Sequence, residues 1–286
     1  MVAKIDVITE SSLSSFITSD GLHLAIQDWM PEPGAPVRGV VLLVHGLGEH
    51  AGRYERVAEQ LNNWGFAVRG YDQYGHGESA GARGGLPTDT RLLDDLAEVL
   101  DDTRARMASD VPLILLGHSL GGLVAARLVS LQMRRVDVLV LSSPALDAGM
   151  SAVQKLLVAV LPKLLPNLCV GNGLNPAYLS HDSAVVCAYR ADRLVHDRIS
   201  ARLARFIGEA GPATLAAAPG WSVPTLLLYA GDDHLVSAAG SRRFAELAPQ
   251  QVLTSACFDT LYHEIFNELD AGPVFAALQR WLDQRF

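Results

Sequence analysis

The sequence predicts an α/β fold, a mostly parallel central sheet with helices on both faces and an inserted, mainly helical cap. Three observations carry this. Short apolar, β-rich runs alternate with helical periodicity along most of the chain, the pattern of a parallel sheet covered on both sides. One block, 147–219, interrupts the alternation and shows no buried strand. Finally, Gly117-His118-Ser119-Leu120-Gly121 sits between an apolar run and a helical stretch, where a strand must turn into a helix within a few residues.

The elements follow in order. An early hairpin is expected over 14–18 and 22–29, then strands over 39–44, 66–71, 113–116, 136–141, 225–229 and 251–256. Helical spacing of apolar residues appears over 53–64, 90–107, 120–133, 238–247 and 274–285. Because strands resume at Val223-Pro224-Thr225, the interrupting block reads as an insertion between two strands of one sheet. Residues 1–146 and 220–286 are thus expected to form the core and 147–219 a cap over the active site, with a mixed helical stretch over 182–208. The apolar patch 156–165 has two readings, packing inside the cap, which is favoured, or an exposed surface that touches lipid.

Composition narrows the partners. The 286 residues are 49% hydrophobic and 19% charged, enough to bury a full core as one large unit with an insertion. A net charge of -8 disfavours nucleic acid or an anionic membrane as the main partner, since both recruit basic patches. Cys169, Cys187 and Cys257 are far apart and form no C-x-x-C, so they read as packing thiols, with neither a disulfide framework nor a zinc site. The start Met1-Val2-Ala3-Lys4-Ile5-Asp6 has no apolar signal core, and no apolar run reaches the ~20 residues of a membrane span, so a cytoplasmic location is the expectation.

The chemistry begins at Ser119. A strand-to-helix turn of this kind strains the serine backbone and lifts the hydroxyl clear of the sheet, and side chains at Gly117 or Gly121 would collide with the crossing strand and helix. An activated serine needs a base and a group to orient it. With this elbow, the acid and the histidine come later in the chain, on loops at the carboxyl ends of late strands. Asp233, in Ala230-Gly231-Asp232-Asp233-His234, and His263, in Tyr262-His263-Glu264, satisfy that order. Asp232 competes with Asp233, but its neighbour is better spaced from the strand.

Nine histidines compete for the base. His45, His50, His76 and His118 stand in Gly-rich turns, where structural hydrogen bonds are the default; His181, His196 and His234 read as exposed or cap residues, and His23 belongs to the hairpin. The tetrahedral intermediate needs backbone donors. Leu120, after the serine, supplies one, and Leu47, in the loop His45-Gly46-Leu47-Gly48-Glu49-His50, supplies the second. Two decoys fall away. Gly75-His76-Gly77-Glu78-Ser79-Ala80 matches a dinucleotide pattern but opens no helix, and His263-Glu264-Ile265-Phe266-Asn267 lacks the second histidine of a zinc-protease helix, so no metal or cofactor is expected.

His45-Gly46-Leu47-Gly48-Glu49-His50-Ala51-Gly52-Arg53-Tyr54, Asp72-Gln73-Tyr74-Gly75-His76-Gly77-Glu78-Ser79, the elbow through Gly122 and Tyr189-Arg190-Ala191-Asp192-Arg193-Leu194-Val195-His196 resemble monoacylglycerol lipases and related lysophospholipases of the α/β-hydrolase superfamily. The resemblance extends over nearly the whole chain. It implies a serine hydrolase that cleaves monoacylglycerols through an acyl-enzyme, with Ser119, Asp233 and His263 catalytic and Leu47 and Leu120 as oxyanion donors. It also implies that Glu49 and Arg53 lie near the polar head of a lipid ester substrate and that Tyr189 lines the pocket from the cap; transient membrane or micelle contact through the cap is instead the second reading of the 156–165 patch. An ion pair between Glu49 and Arg53 that braces the loop carries equal weight. Leucine follows the serine where methionine is frequent, and the cap cysteines differ from those of mammalian members, which leaves chain-length preference and inhibitor behaviour open. A general carboxylesterase or lysophospholipase is the nearest alternative. A catalytically silent small-molecule-binding homologue is another, and the intact triad argues against it. The sequence sets no oligomeric state.

Overall fold

The hairpin near the start is present: β1 (Ser11–Ile17) and β2 (His23–Trp29) pair antiparallel, closed by a turn around Gly21 at φ 83°. β2 then pairs antiparallel with β4 (Phe66–Tyr71), which runs parallel to β3 (Gly39–Val44). The remaining strands are β5 (Leu113–His118), β6 (Val138–Ser142), β9 (Thr225–Ala230) and β10 (Leu253–Phe258), all parallel to their neighbours. The sheet order is β1-β2-β4-β3-β5-β6-β9-β10. This computed structural model describes residues 11–149 and 152–286, so the expectation for Met1-Val2-Ala3-Lys4-Ile5-Asp6 lies outside the described residues.

The central strands are apolar throughout because both faces are covered. In β3, Leu42 and Val44 join one core while Val41 and Leu43 join the other, and β5 repeats the alternation with Leu113 and Leu115 against Ile114 and Leu116. On the first side pack α2 (Arg91–Arg106), α3 (Leu120–Ser130) and α7 (Ala238–Leu247), through residues such as Leu96, Leu123 and Phe244. On the second pack α1 (Glu55–Asn63) and α8 (Gly272–Asp283), the latter through Val274, Leu278, Trp281 and Leu282 at helical spacing. The helix read over 53–64 begins instead with a 3-10 turn, Ala51–Tyr54, before α1.

Between β6 and β9 the chain forms α4 (Ala152–Leu164), β7 (Cys169–Gly171), α5 (Ser183–Ala191), β8 (Arg198–Ser200) and α6 (Ala201–Ala217). The two short strands pair antiparallel, a small sheet absent from the sequence reading. α6 also continues past Gly208, where the helical pattern was read to end, and through Pro212. Leu203, Phe206, Ala210 and Thr214 are buried on one face, and this continuous burial offsets the cost of about 3 kcal/mol that an interior proline imposes.

The 156–165 patch divides by face. Val158 and Leu161 line a cavity, whereas Leu156, Val160, Leu164 and Leu165 stand 45 to 72% exposed. One side of the patch therefore packs inward, as favoured, and the other is exposed. No helix among the described residues is long and apolar enough to cross a membrane. The three cysteines are free; Cys169 and Cys257 are half-buried, but Cys187 is exposed and does not pack as expected, since α5 buries none of its side chains fully.

Candidate active site

β5 ends at His118 and α3 starts at Leu120, leaving Ser119 to make the whole turn at φ 53° and ψ −117°. That backbone is costly for a residue with a side chain and persists because its surroundings fix it. The Ser119 N–H donates to the Ser142 carbonyl at 3.0 Å, and the Ser119 carbonyl accepts from Leu123 and Ala145. A Cβ on Gly121 would strike the Val44 and His45 carbonyls, and one on Gly117 the backbone of Gly121 and Gly122. Glycine at both positions lets the helix lie this close to the sheet.

Asp233 follows β9. Its Oδ1 accepts the N–H groups of Leu235 and Val236 at 2.9 and 3.0 Å, and its Oδ2 receives His263 Nδ1 at 2.6 Å. Burial opposes its charge, but the imidazole and these hydrogen bonds outweigh burial and hold its pKa below the usual carboxylate value. Asp232 instead turns outward, half-exposed, to His234 Nε2 at 3.1 Å. His263 is likewise buried, which favours the neutral ring, yet the Asp233 charge and hydrogen bond raise its pKa above the ordinary histidine value.

Ser119 and His263 line the same cavity. The Ser119 hydroxyl makes no hydrogen bond among the described residues. Neither the Leu47 nor the Leu120 N–H has an acceptor among the described residues, although Leu120 is fully buried and both residues line that cavity. Two N–H groups without acceptors among the described residues thus belong to residues that line the same cavity as Ser119.

Two spaces meet at Ser119. One is an apolar cavity of about 320 Å³ whose lining includes Ala145, Val158, Leu161, Ile199, Ile207 and Val236. The other is a niche of about 30 Å³ with Glu49, His118, Tyr189 and Glu264 in its wall. Leu47, Ser119, Leu174, Leu235 and His263 border both.

Glu49 is 3% exposed and fully engaged: Oε1 accepts the Gly46 N–H and the Tyr54 hydroxyl, each at 2.6 Å, and Oε2 pairs with Arg53. Burial resists its ionisation, but Arg53, His118 and His45 hold the pKa down to about 2. The Arg53 guanidinium lies 4.7 Å beneath the Tyr189 ring, outside the niche lining. The loop-bracing ion pair is thus present, and only Glu49 and Tyr189 of this trio face the niche.

Sequence reasoning passed over His118, Glu264 and Glu268. The His118 ring lies 4.7 Å from that of His263 and its Nδ1 is 3.0 Å from Ser142 Oγ. Burial, reinforced by His263, drops its pKa to about 4, which keeps it neutral. Its place in the elbow was the available signal. Glu264 was read only as part of a failed zinc motif. Among the described residues no group of three or more His, Cys, Asp or Glu is arranged to hold a metal ion.

A family model described as "Serine aminopeptidase, S33" matches residues 35–270. A monoacylglycerol lipase of Mycolicibacterium smegmatis is 34% identical over 285 residues, covering 96% of this chain and 98% of that protein. An uncharacterized abhydrolase domain-containing protein of Dictyostelium discoideum is 32% identical over 282 residues, but the match covers 96% of this chain and only 29% of that protein. The crystal structure of Paleococcus ferrophilus monoacylglycerol lipase superposes with a TM-score of 0.80 at 34% identity, over 92% of this chain and 98% of that one.

Proposed function

Since the chain belongs to the serine aminopeptidase S33 family and is a serine ester hydrolase with the α/β-hydrolase fold, we propose that it cleaves monoacylglycerols to fatty acid and glycerol through an acyl-enzyme on Ser119. The observation that carries this reading is the division of space at Ser119 into a large apolar arm and a small niche of mixed lining that includes Glu49, His118, Tyr189 and Glu264. The apolar arm suits one acyl chain, each methylene contributing roughly 0.8 kcal/mol on burial. The niche has no room for a second chain, and a small hydroxylated leaving group enters it only as the niche widens on binding.

In the proposed reaction Ser119 attacks the ester carbonyl while His263 Nε2 accepts its proton. Asp233 holds the imidazole through Nδ1 and stabilises the imidazolium. The Leu47 and Leu120 N–H groups receive the oxyanion. His263 then protonates the departing glycerol oxygen, and water attacks the acyl-enzyme by the same relay. The Ser119 hydroxyl must close on Nε2 when substrate binds, a tightening common to catalytic hydrogen bonds. Residues 147–219 act as the cap over a core of 1–146 and 220–286, and the exposed leucines of α4 are the surface that meets a membrane or micelle. Tyr189 contacts the glycerol from the niche, while Glu49, held by Gly46, Tyr54 and Arg53, shapes the wall beside it.

Rates on mono-, di- and triacylglycerols and on short aryl esters test the reading. Preference for the monoester with a long or medium chain is expected. Faster turnover of triacylglycerol or of acetyl esters would refute the substrate assignment.

A further inference from the structure

Glu268 is 2% exposed, stands in the turn after His263, and borders neither space at Ser119. Its two oxygens serve two different parts of the molecule. Oε1 accepts the N–H of Tyr262, the residue before His263, at 2.7 Å, and Oε2 that of Leu269 at 3.3 Å. The same Oε1 lies 2.8 Å from His181 Nδ1, and Oε2 accepts the His181 N–H at 3.1 Å, both from the inserted segment.

The surrounding contacts join the same two parts. The His181 ring stacks on Tyr262 with centroids 3.6 Å apart, the Glu264 N–H donates to the Leu179 carbonyl at 2.8 Å, and Ser180 Oγ donates to the Asn267 carbonyl at 2.9 Å. Nearby, Tyr178 stacks on His234, the residue after Asp233, at 4.5 Å. Residues 178–181 of the insertion therefore rest on both loops that carry Asp233 and His263.

We infer that Glu268 is a positioning residue: its carboxylate fastens the His263 loop and the seat of the inserted segment into one unit, so that the fit of the cap fixes the placement of the imidazole. The inference rests on the serine-hydrolase reading proposed above. A carboxylate is required because backbone N–H groups converge on both oxygens, and the NH2 of an amide in either orientation would face one of them. A loop freed at Tyr262 lets the adjacent imidazole drift, and a displacement near 1 Å at a reacting group costs on the order of a hundredfold in rate.

The test compares wild type, Glu268→Gln and His181→Phe by fluorophosphonate labelling, by kcat and KM on a monoacylglycerol and on p-nitrophenyl butyrate, and by thermal unfolding. Labelling of the wild type checks the serine-hydrolase reading by itself; the variants, taken relative to it, check the inference. In Glu268→Gln the labelling rate and kcat on the short ester are expected to fall about tenfold or more with KM within about twofold. A variant that melts earlier but labels and turns over within about twofold of wild type per folded molecule overturns the inference, because a plain brace moves Tm alone. Should Glu268→Gln fail to fold, His181→Phe decides, as it keeps the stack on Tyr262 and the Glu268 charge but drops the Nδ1 contact. A fall in kcat of about threefold or more on both esters supports the coupling, and wild-type kcat on both rejects it.

Discussion

Arg53 and Glu264 meet in a two-bonded ion pair, Nη1 to Oε1 at 2.7 Å and Nη2 to Oε2 at 2.9 Å, which ties the loop carrying Leu47 to the residue that follows His263. Because Arg53 also pairs with Glu49, one guanidinium is the shared counter-charge of two carboxylates whose side chains are 4 to 5% exposed. Arg53→Met is therefore expected to leave both acids buried without a counter-charge and to destabilise the fold by about 3 to 5 kcal/mol. Arg53→Lys should recover only part of this, since an ammonium cannot reproduce the planar fork. Urea unfolding of the three proteins checks the order; equal stability of Met and wild type would remove the clamp from the account.

Replacement of Ser119 by alanine is expected to lower kcat by roughly 10⁵-fold or more and to abolish fluorophosphonate labelling, while the fold is retained. The measurement pairs ester hydrolysis with mass spectrometry of the labelled protein. An adduct elsewhere, with hydrolysis intact, would move the nucleophile to another residue.

The two neighbouring aspartates should separate sharply. Asp233→Asn removes the acceptor of His263 Nδ1 and is expected to reduce kcat by about 10⁴-fold. Asp232→Asn removes an exposed contact to His234 and should change kcat by less than about threefold. Similar losses from both would defeat the assignment.

The pH profile follows from His263. Its ring must be neutral to accept the Ser119 proton, and the Asp233 charge raises its pKa against the effect of burial. Activity is then lost as pH falls through that raised value, so the acid limb of kcat/KM is expected above the ~6.5 of a free histidine. A limb at or below that value would contradict the contact between Asp233 and His263.

Stability should also fall in acid, but through histidines whose pKa is lowered. Burial lowers the pKa of His45, of His76 and, to about 4, of His118 and His196. Below the unfolded value near 6.5 the unfolded chain binds protons that the folded chain refuses, so these four groups lose stability progressively from pH ~6.5 toward 4. Asp95, whose carboxyl burial lifts to about 7 despite Arg91, and His263, whose pKa Asp233 raises, oppose them, two groups against four. Unfolding free energies at pH 7.5, 6 and 5 should decline in that order; a flat profile would show that the imidazoles are more hydrated than their burial implies.

Gly121→Ala puts a methyl group into the Val44 and His45 carbonyls at the root of the Leu47 loop. Neither neighbour is a flexible side chain, so a backbone shift is forced. A loss of about 1 to 3 kcal/mol is expected, together with slower labelling of Ser119. Wild-type stability and labelling would mean that α3 can tilt away from the sheet without cost.

The elbow, the succession of strands along the chain and the strand-end positions of Asp233 and His263 were legible because each is a local constraint. A Gly-x-Ser-x-Gly between an apolar run and a helical stretch leaves one backbone path, which the φ of 53° at Ser119 follows. The small sheet of β7 and β8 was not legible, as three residues carry no usable alternation. Nor was the passage of α6 through Pro212, where packing against the core outweighs a local rule.

By itself the chain's order of residues determined the alternating core, the insertion between two strands, and which serine, acid and histidine stand at strand ends, since period and turn chemistry act over a few neighbours. Only the tertiary structure decided that Glu49 is consumed by Gly46, Tyr54 and Arg53, that His118 lies against His263, and that Glu268 joins the insertion to the histidine loop. Those relations join residues on separate elements, many of them far apart in the chain. They depend on burial and on convergent donors, which exist only once the sheet and the insertion have closed on each other.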